Sequence, residues 1–134
     1  MLRYMLDTNI CIALLKGRAQ KLQNRCNEEA AGLCISSITL YELQTGVEKS
    51  RMRVKSQALL HALLANLPVT GFDEAAAVHS GEIRGHLEKQ GTPIGPCDTL
   101  IAGHARSTGL IIVTDNEKEF RRVDGLIVEN WLRV

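Results

Sequence analysis

The chain has 134 residues, with 16 Lys+Arg against 15 Asp+Glu and a net charge of +1. That length suits one domain, residues 1–134, and the near-balance of charge excludes a bulk cationic field of the kind that by itself announces a nucleic-acid binder. Cys11, Cys26, Cys34 and Cys97 lack C-x-x-C spacing, which argues against zinc, and no apolar run approaches the ~18 residues of a membrane span, so the expected compartment is the cytoplasm.

Tyr4–Leu6 reads as a short buried strand, and Thr8–Leu15 as a helix with an apolar stripe closed by Gly17. Arg18–Ala30 is a polar helical segment carrying Arg18, Lys21 and Arg25 on one face. Leu33–Ile35 is a second strand. Ser36–Val47 and Arg51 to about Asn66 then predict two helices forming an αα-hairpin, an arm beside the sheet whose apolar run Leu59–Leu64 calls for a contact surface. Val69–Phe72 is a short strand, and Asp73–Lys89 a helix capped by its Asp. A rigid loop, Thr92–Pro96, precedes a helix over Asp98–Thr108 with Gly109 at its C′ position. Leu110–Val113 is apolar on both faces, as a central parallel strand should be. A polar turn, Asn116–Arg122, and a strand near Leu126–Val128 end the pattern. Strands alternating with helices predict an α/β fold with helices on both faces of a parallel sheet.

Four acids, Asp7, Glu42, Asp98 and Asp115, stand where apolar runs give way to polar, helix-opening segments. Each has a local explanation. Asp7, Asp98 and Asp115 can cap helices, and Glu42 forms a T-x-x-E capping-box pattern with Thr39. Ligands of open α/β folds nevertheless bind outside the carboxyl ends of the strands, where these acids would gather. Like charges in such a crevice raise one another's pKa or require a cation. Oxygen donors without Cys or His suit Mg²⁺ or Mn²⁺, and such an ion suits phosphodiester hydrolysis.

Met5-Leu6-Asp7-Thr8-Asn9, Ser36-Ser37-Ile38-Thr39-Leu40-Tyr41-Glu42, Asp98-Thr99-Leu100-Ile101-Ala102-Gly103-His104-Ala105 and Val113-Thr114-Asp115-Asn116-Glu117-Lys118-Glu119-Phe120 resemble PIN-domain ribonucleases in order and spacing, most closely the VapC-type toxins. The resemblance implies a three-layer α/β/α PIN domain with a central, mostly parallel sheet and a protruding helical hairpin. It also implies a toxic Mg²⁺-dependent endoribonuclease of a toxin-antitoxin module, acting on RNA such as tRNA and blocked by a cognate VapB-like antitoxin. The same resemblance makes Asp7, Glu42 and Asp98 the core metal-binding acids and leaves the fourth position to Asp115 or to the side-chain oxygen of Asn116. Thr8, Asn9 and Thr114 are expected to orient these groups. A homodimer and a toxin-antitoxin hetero-oligomer are further implications.

Lys16, Arg18, Arg84, Arg106, Arg121 and Arg122 are the candidates for phosphate contacts at the rim of an acidic site. His61, His79, His86 and His104 show no metal-ligand spacing and are assigned to packing or surface. Two other readings compete: a DNA nuclease of related fold, and a non-catalytic module that uses the acids only to hold a metal or partner.

Overall fold

The computed structural model describes residues 1–133. In chain order the elements are β1 (Tyr4–Leu6), α1 (Thr8–Lys16), α2 (Gln20–Glu28), β2 (Leu33–Ser36), α3 (Ser37–Lys49), α4 (Arg53–Leu64), β3 (Val69–Thr70), α5 (Glu74–Lys89), α6 (Pro96–Thr108), β4 (Ile111–Val113), α7 (Glu117–Phe120) and β5 (Val128–Glu129). The strands form one sheet in the order β3-β2-β1-β4-β5, and every pair is parallel. With β1 between β2 and β4, the chain reverses its winding there, and the carboxyl ends of β1 and β4 open side by side.

Side chains alternate across the central strands, so two cores form, one on each face. Tyr4, Leu6, Ile35 and Val113 pack with Ile10, Leu22 and Leu60 on one side, while Met5, Cys34 and Ile112 pack with Ile83, Ile101, Ala102 and Phe120 on the other. The resulting α/β/α layering matches the expected class. Helices α3 and α4 form the expected hairpin, tied by Gln44 Nε2 donating to Gln57 Oε1 at 2.7 Å and by Arg53 bonding Glu48. Among the described residues, no helix is long and apolar enough to cross a membrane.

Several boundaries move for local reasons. Helix α6 begins at Pro96, whose fixed φ and missing N–H suit a first helical position, so Asp98 lies in the first turn rather than at the cap. The polar turn after β4 contains the one-turn helix α7, closed by Phe120 N–H donating to the Asn116 carbonyl. Strand β3 stops at Thr70 because the next segment leaves the ladder, the Phe72 N–H donating to Ser37 Oγ. Strand β5 starts at Val128 instead of Leu126, after Gly125 turns the chain at φ 80°. Asp73 caps α5 as predicted, its Oδ1 accepting from Ala76 N–H at 2.9 Å.

Helices α5 and α6 touch most closely at Gly103, where a Cβ would lie 2.0 Å from Ser80 Oγ, 2.6 Å from its N and 2.7 Å from its Cα. His104, beside it, is buried at 1 % exposure, bonds Ser36 Oγ at 2.8 Å and meets the Phe72 ring edge-on. Its role is packing, and burial holds its pKa below the usual range.

Candidate active site

Asp7 leaves the end of β1 and is only 2 % exposed. Its Oδ1 accepts the Thr8 N–H at 2.7 Å, so the capping reading holds. Its Oδ2 does something else, accepting the Thr114 hydroxyl at 2.7 Å from the end of β4. Thr114 Oγ1 in turn accepts the Asn116 N–H at 2.9 Å. One hydroxyl thereby ties Asp7 to the segment that opens α7. Burial raises the Asp7 pKa to about 6 against the pull of Thr114 and Thr8, with Glu42 and Asp115 adding to the rise.

Glu42 reaches the same region from α3. That helix is capped by Ser36, whose Oγ accepts from Ile38 N–H, so Thr39 lies inside the helix and Glu42 takes no part in a capping box. Glu42 Oε1 instead accepts the Thr8 hydroxyl at 2.6 Å, and Thr8 Oγ1 also lies 3.3 Å from Thr39 Oγ1. Cys97, at the start of α6, lies close enough to Glu42 for that acid to add to the burial that raises the thiol pKa, a neighbour that its sequence position did not reveal.

Asp98 comes from the first turn of α6. Burial, a shared hydrogen bond with Glu119, and the charges of Asp7, Glu119 and Glu42 all push its pKa upward. Asn116 Nδ2 lies 3.4 Å from Asp98 Oδ2 and also donates to Glu119, so it bridges the two carboxyls. Glu119 is thus the fourth acid beside Asp98. Read as part of a polar turn, it was missed; the available signal was Asn116-x-x-Glu119, an N-cap and N3 pair that builds a helical turn. Asp115 is exposed and acts on Asp7 through charge alone, while Asn9 is exposed without a side-chain hydrogen bond among the described residues.

Four carboxylates therefore face one crevice from β1, α3, α6 and α7, and no Lys, Arg or His forms an ion pair with Asp7, Glu42 or Asp98 among the described residues. No three His, Cys, Asp or Glu side chains there close into a ready metal cage. Such an open oxygen set fits a hard divalent cation that keeps several waters and takes one or two carboxylates. It does not fit zinc, which prefers a closed tetrahedron of sulfur and nitrogen.

The candidate phosphate-binding cations are distributed unevenly. Lys16 and Arg18 are exposed around the end of α1, with no anionic partner among the described residues. Arg84 pairs with Glu88 at 2.9 Å and Arg121 with Glu117 at 2.9 Å. Arg106 is engaged on all sides, bonding His79 Nδ1, Glu82 and the Asp124 carbonyl, a tie between α5, α6 and the Asp124 loop. Arg122 donates to the Pro93 carbonyl and its charge lowers the Glu119 pKa, so it stands closest to the acids.

The PIN domain family model matches residues 4–126. The chain is 50% identical over 131 residues to the tRNA(fMet)-specific endonuclease VapC of Shigella flexneri, covering 98% of this chain and 99% of that one. It is 45% identical to Ribonuclease VapC2 of Haemophilus influenzae, with 98% and 100% covered. The solved DNA-bound VapBC of Salmonella typhimurium superposes with a TM-score of 0.95 at 45% identity, covering 98% of this chain and 99% of that one. VapBC2 of Rickettsia felis, bound to a promoter DNA fragment, gives 0.93 at 39%, with 97% and 99% covered. Whole-length identity at this level places the chain in the PIN-domain family, among the VapC endoribonucleases.

Proposed function

We propose that residues 1–134 form a single PIN domain acting as the toxin of a toxin-antitoxin pair, with Asp7, Glu42, Asp98 and Glu119 as its catalytic acids. PIN-domain nucleases generally depend on a divalent metal, and we assign Mg²⁺, with Mn²⁺ as a substitute. The observation that supports this most strongly is the convergence of four carboxylates, three of which, Asp7, Glu42 and Asp98, have no ion-pair partner among the described residues. Asp7 and Asp98 would hold the ion, with Glu42 and Glu119 placed to bind its waters. Asp115 and Asn116 belong to the same rim, Asn116 as the donor that spaces Asp98 from Glu119. When bound, the metal supplies charge neutralisation at the scissile phosphate and an acidified water.

The chain's own residues supply orientation. Thr8 fixes Glu42, and Thr114 fixes Asp7. The raised pKa of Asp98, caused by burial and by the acids around it, reflects a repulsion that a bound cation would relieve. Replacing Thr114 by Val is expected to lower cleavage about 10- to 100-fold, the usual cost of losing a group that orients a metal ligand. Thr114→Ser should recover most of it, because the hydroxyl is the part that acts.

The substrate is RNA, with tRNA favoured by the name of the Shigella relative. The cytoplasm is the proposed compartment, a VapB-like antitoxin the proposed inhibitor, and a homodimer within a toxin-antitoxin hetero-oligomer the proposed assembly. The solved VapBC relatives support the antitoxin. So does an apolar groove of about 340 Å³ between α1, α2 and α4, lined by Leu14, Leu15, Leu33, Leu59 and Leu63. Purified protein is expected to cut tRNA with Mg²⁺ or Mn²⁺, to stop in EDTA, and to stop again on adding antitoxin. Cleavage unaffected by EDTA would reject the metal assignment. Equal digestion of single-stranded DNA would favour the broader nuclease reading.

A further inference from the structure

We propose that the tip of the α3–α4 hairpin is a docking surface for the phosphate backbone of the RNA substrate, away from the bond being cut. This deepens the endoribonuclease reading and rests on it. Lys49, Arg51, Arg53 and Lys55 all lie at this turn, and all four are exposed. Glu48 is the one acid between residues 48 and 55, so this segment carries +3 in a chain whose total is +1; the remaining residues sum to −2. RNA is repelled by that remainder and by the four carboxylates of the site. A long RNA will therefore lie where the positive charge is concentrated.

Fold stability explains only part of the cluster: Arg53 ties the hairpin through Glu48, and Lys49 complements the C-terminal end of α3. Glu48 accepts from Arg53 Nε and Nη2, at 3.0 and 2.9 Å, leaving Lys49, Arg51 and Lys55 without an anionic partner among the described residues. Helix α4 has no acid in its first turn and no side-chain cap, yet it opens with Arg53 and Lys55. Cations at a helix start oppose the macrodipole and cost stability. Met52 and Val54, 60 % and 82 % exposed, stand among them and offer apolar contact to sugars and base faces.

Position also fits. Glu42 and Lys49 lie on the same helix seven residues apart, about 10 Å along its axis. At roughly 3.4 Å per stacked nucleotide that is about three nucleotides from the acids. The tip therefore meets phosphates flanking the cut rather than the scissile one, and it contributes to long substrates but not to minimal ones.

The test is the triple variant Lys49→Gln, Arg51→Gln, Lys55→Gln, with binding and cutting read separately. Fluorescence anisotropy with full-length tRNA is expected to show affinity falling about 10- to 100-fold. The slope of log affinity against log salt should flatten by about 2, for three lost phosphate contacts on a single strand. Cleavage of tRNA should lose through KM, whereas cleavage of a tetranucleotide should be unchanged. The variant should melt close to wild type, since it removes one charge that favours the end of α3, Lys49, and one that opposes the start of α4, Lys55. Unchanged affinity and salt slope would overturn the proposal, as would equal losses on the tetranucleotide. Weakened antitoxin binding or a dissociated dimer, with RNA affinity intact, would reassign the tip to those contacts and also overturn it. A wild-type protein that binds RNA through this tip but cuts none under any metal would instead sink the nuclease reading.

Discussion

Asp98→Asn is expected to lower RNA cleavage by at least about 10³-fold, the consequence of losing several kcal/mol of metal-assisted stabilisation at the scissile phosphate. The same substitution should make the metal-free protein more stable. Asp98 is partly buried and held against Glu119, Asp7 and Glu42, so its folded-state pKa lies above the ordinary 3.8. A carboxyl raised in the fold binds its proton more tightly there than in the unfolded chain, and ionising it penalises folding. The penalty is absent near pH 4, grows as pH rises, and is complete above about pH 7. Asn carries no charge and escapes it. In chelator at pH 8 the variant should gain about 1–2 kcal/mol, a figure discounted for the solvent that reaches this side chain. At pH 4 the two proteins should unfold alike. An Asn variant that cuts RNA normally, or that is less stable at pH 8, would remove Asp98 from the site. Calorimetric titration with Mn²⁺ gives an independent readout, since the variant should bind the ion more weakly.

Gly103→Ala should be the most damaging single methyl group in the molecule. The added Cβ meets Ser80 Oγ, N and Cα, all under 3 Å, and two of those atoms are backbone. A side chain can rotate away, but a helix cannot without parting α5 from α6. We expect a loss of about 3 kcal/mol or more, at the upper end of overpacking effects, and a melting temperature lower by roughly 10 °C. Ser80→Ala in the same protein removes only the hydroxyl clash and should restore a minor fraction. Full rescue by that second change would mean the helices have room to spare. Because α6 also carries Asp98, cleavage should fall in the surviving folded fraction.

The strands were readable because each is a short apolar run bounded by Gly, Pro or an acid, and the sheet needed only β-α alternation. Three of the four acids were readable: Asp7 ends such a run, Glu42 stands in the helix that follows one, and Asp98 opens a small-residue helix after a Pro- and Gly-containing loop. Glu119 was hidden because α7 has four residues, too few for a helical period to show, and because a polar turn already explained its composition. The distinction between Asp115, exposed, and Asn116, turned inward, depends on which way one turn of backbone faces. Surface arginines were no more legible. Arg106 finds His79, Glu82 and Asp124 at separations of 27, 24 and 18 residues, so only the assembled fold distinguishes a tie between helices from a free cation.

The Thr114 to Asp7 hydrogen bond joins residues 107 positions apart, and the acid beside Asp98 arrives later still, at 119. During synthesis β1 therefore waits, unpaired on one side, until β4 has left the ribosome. A nascent or truncated chain lacking that last stretch holds at most three scattered carboxyls and no assembled crevice. The crevice is therefore a product of long-range folding, closed only when the stretch after β4 joins the strand that opened the chain.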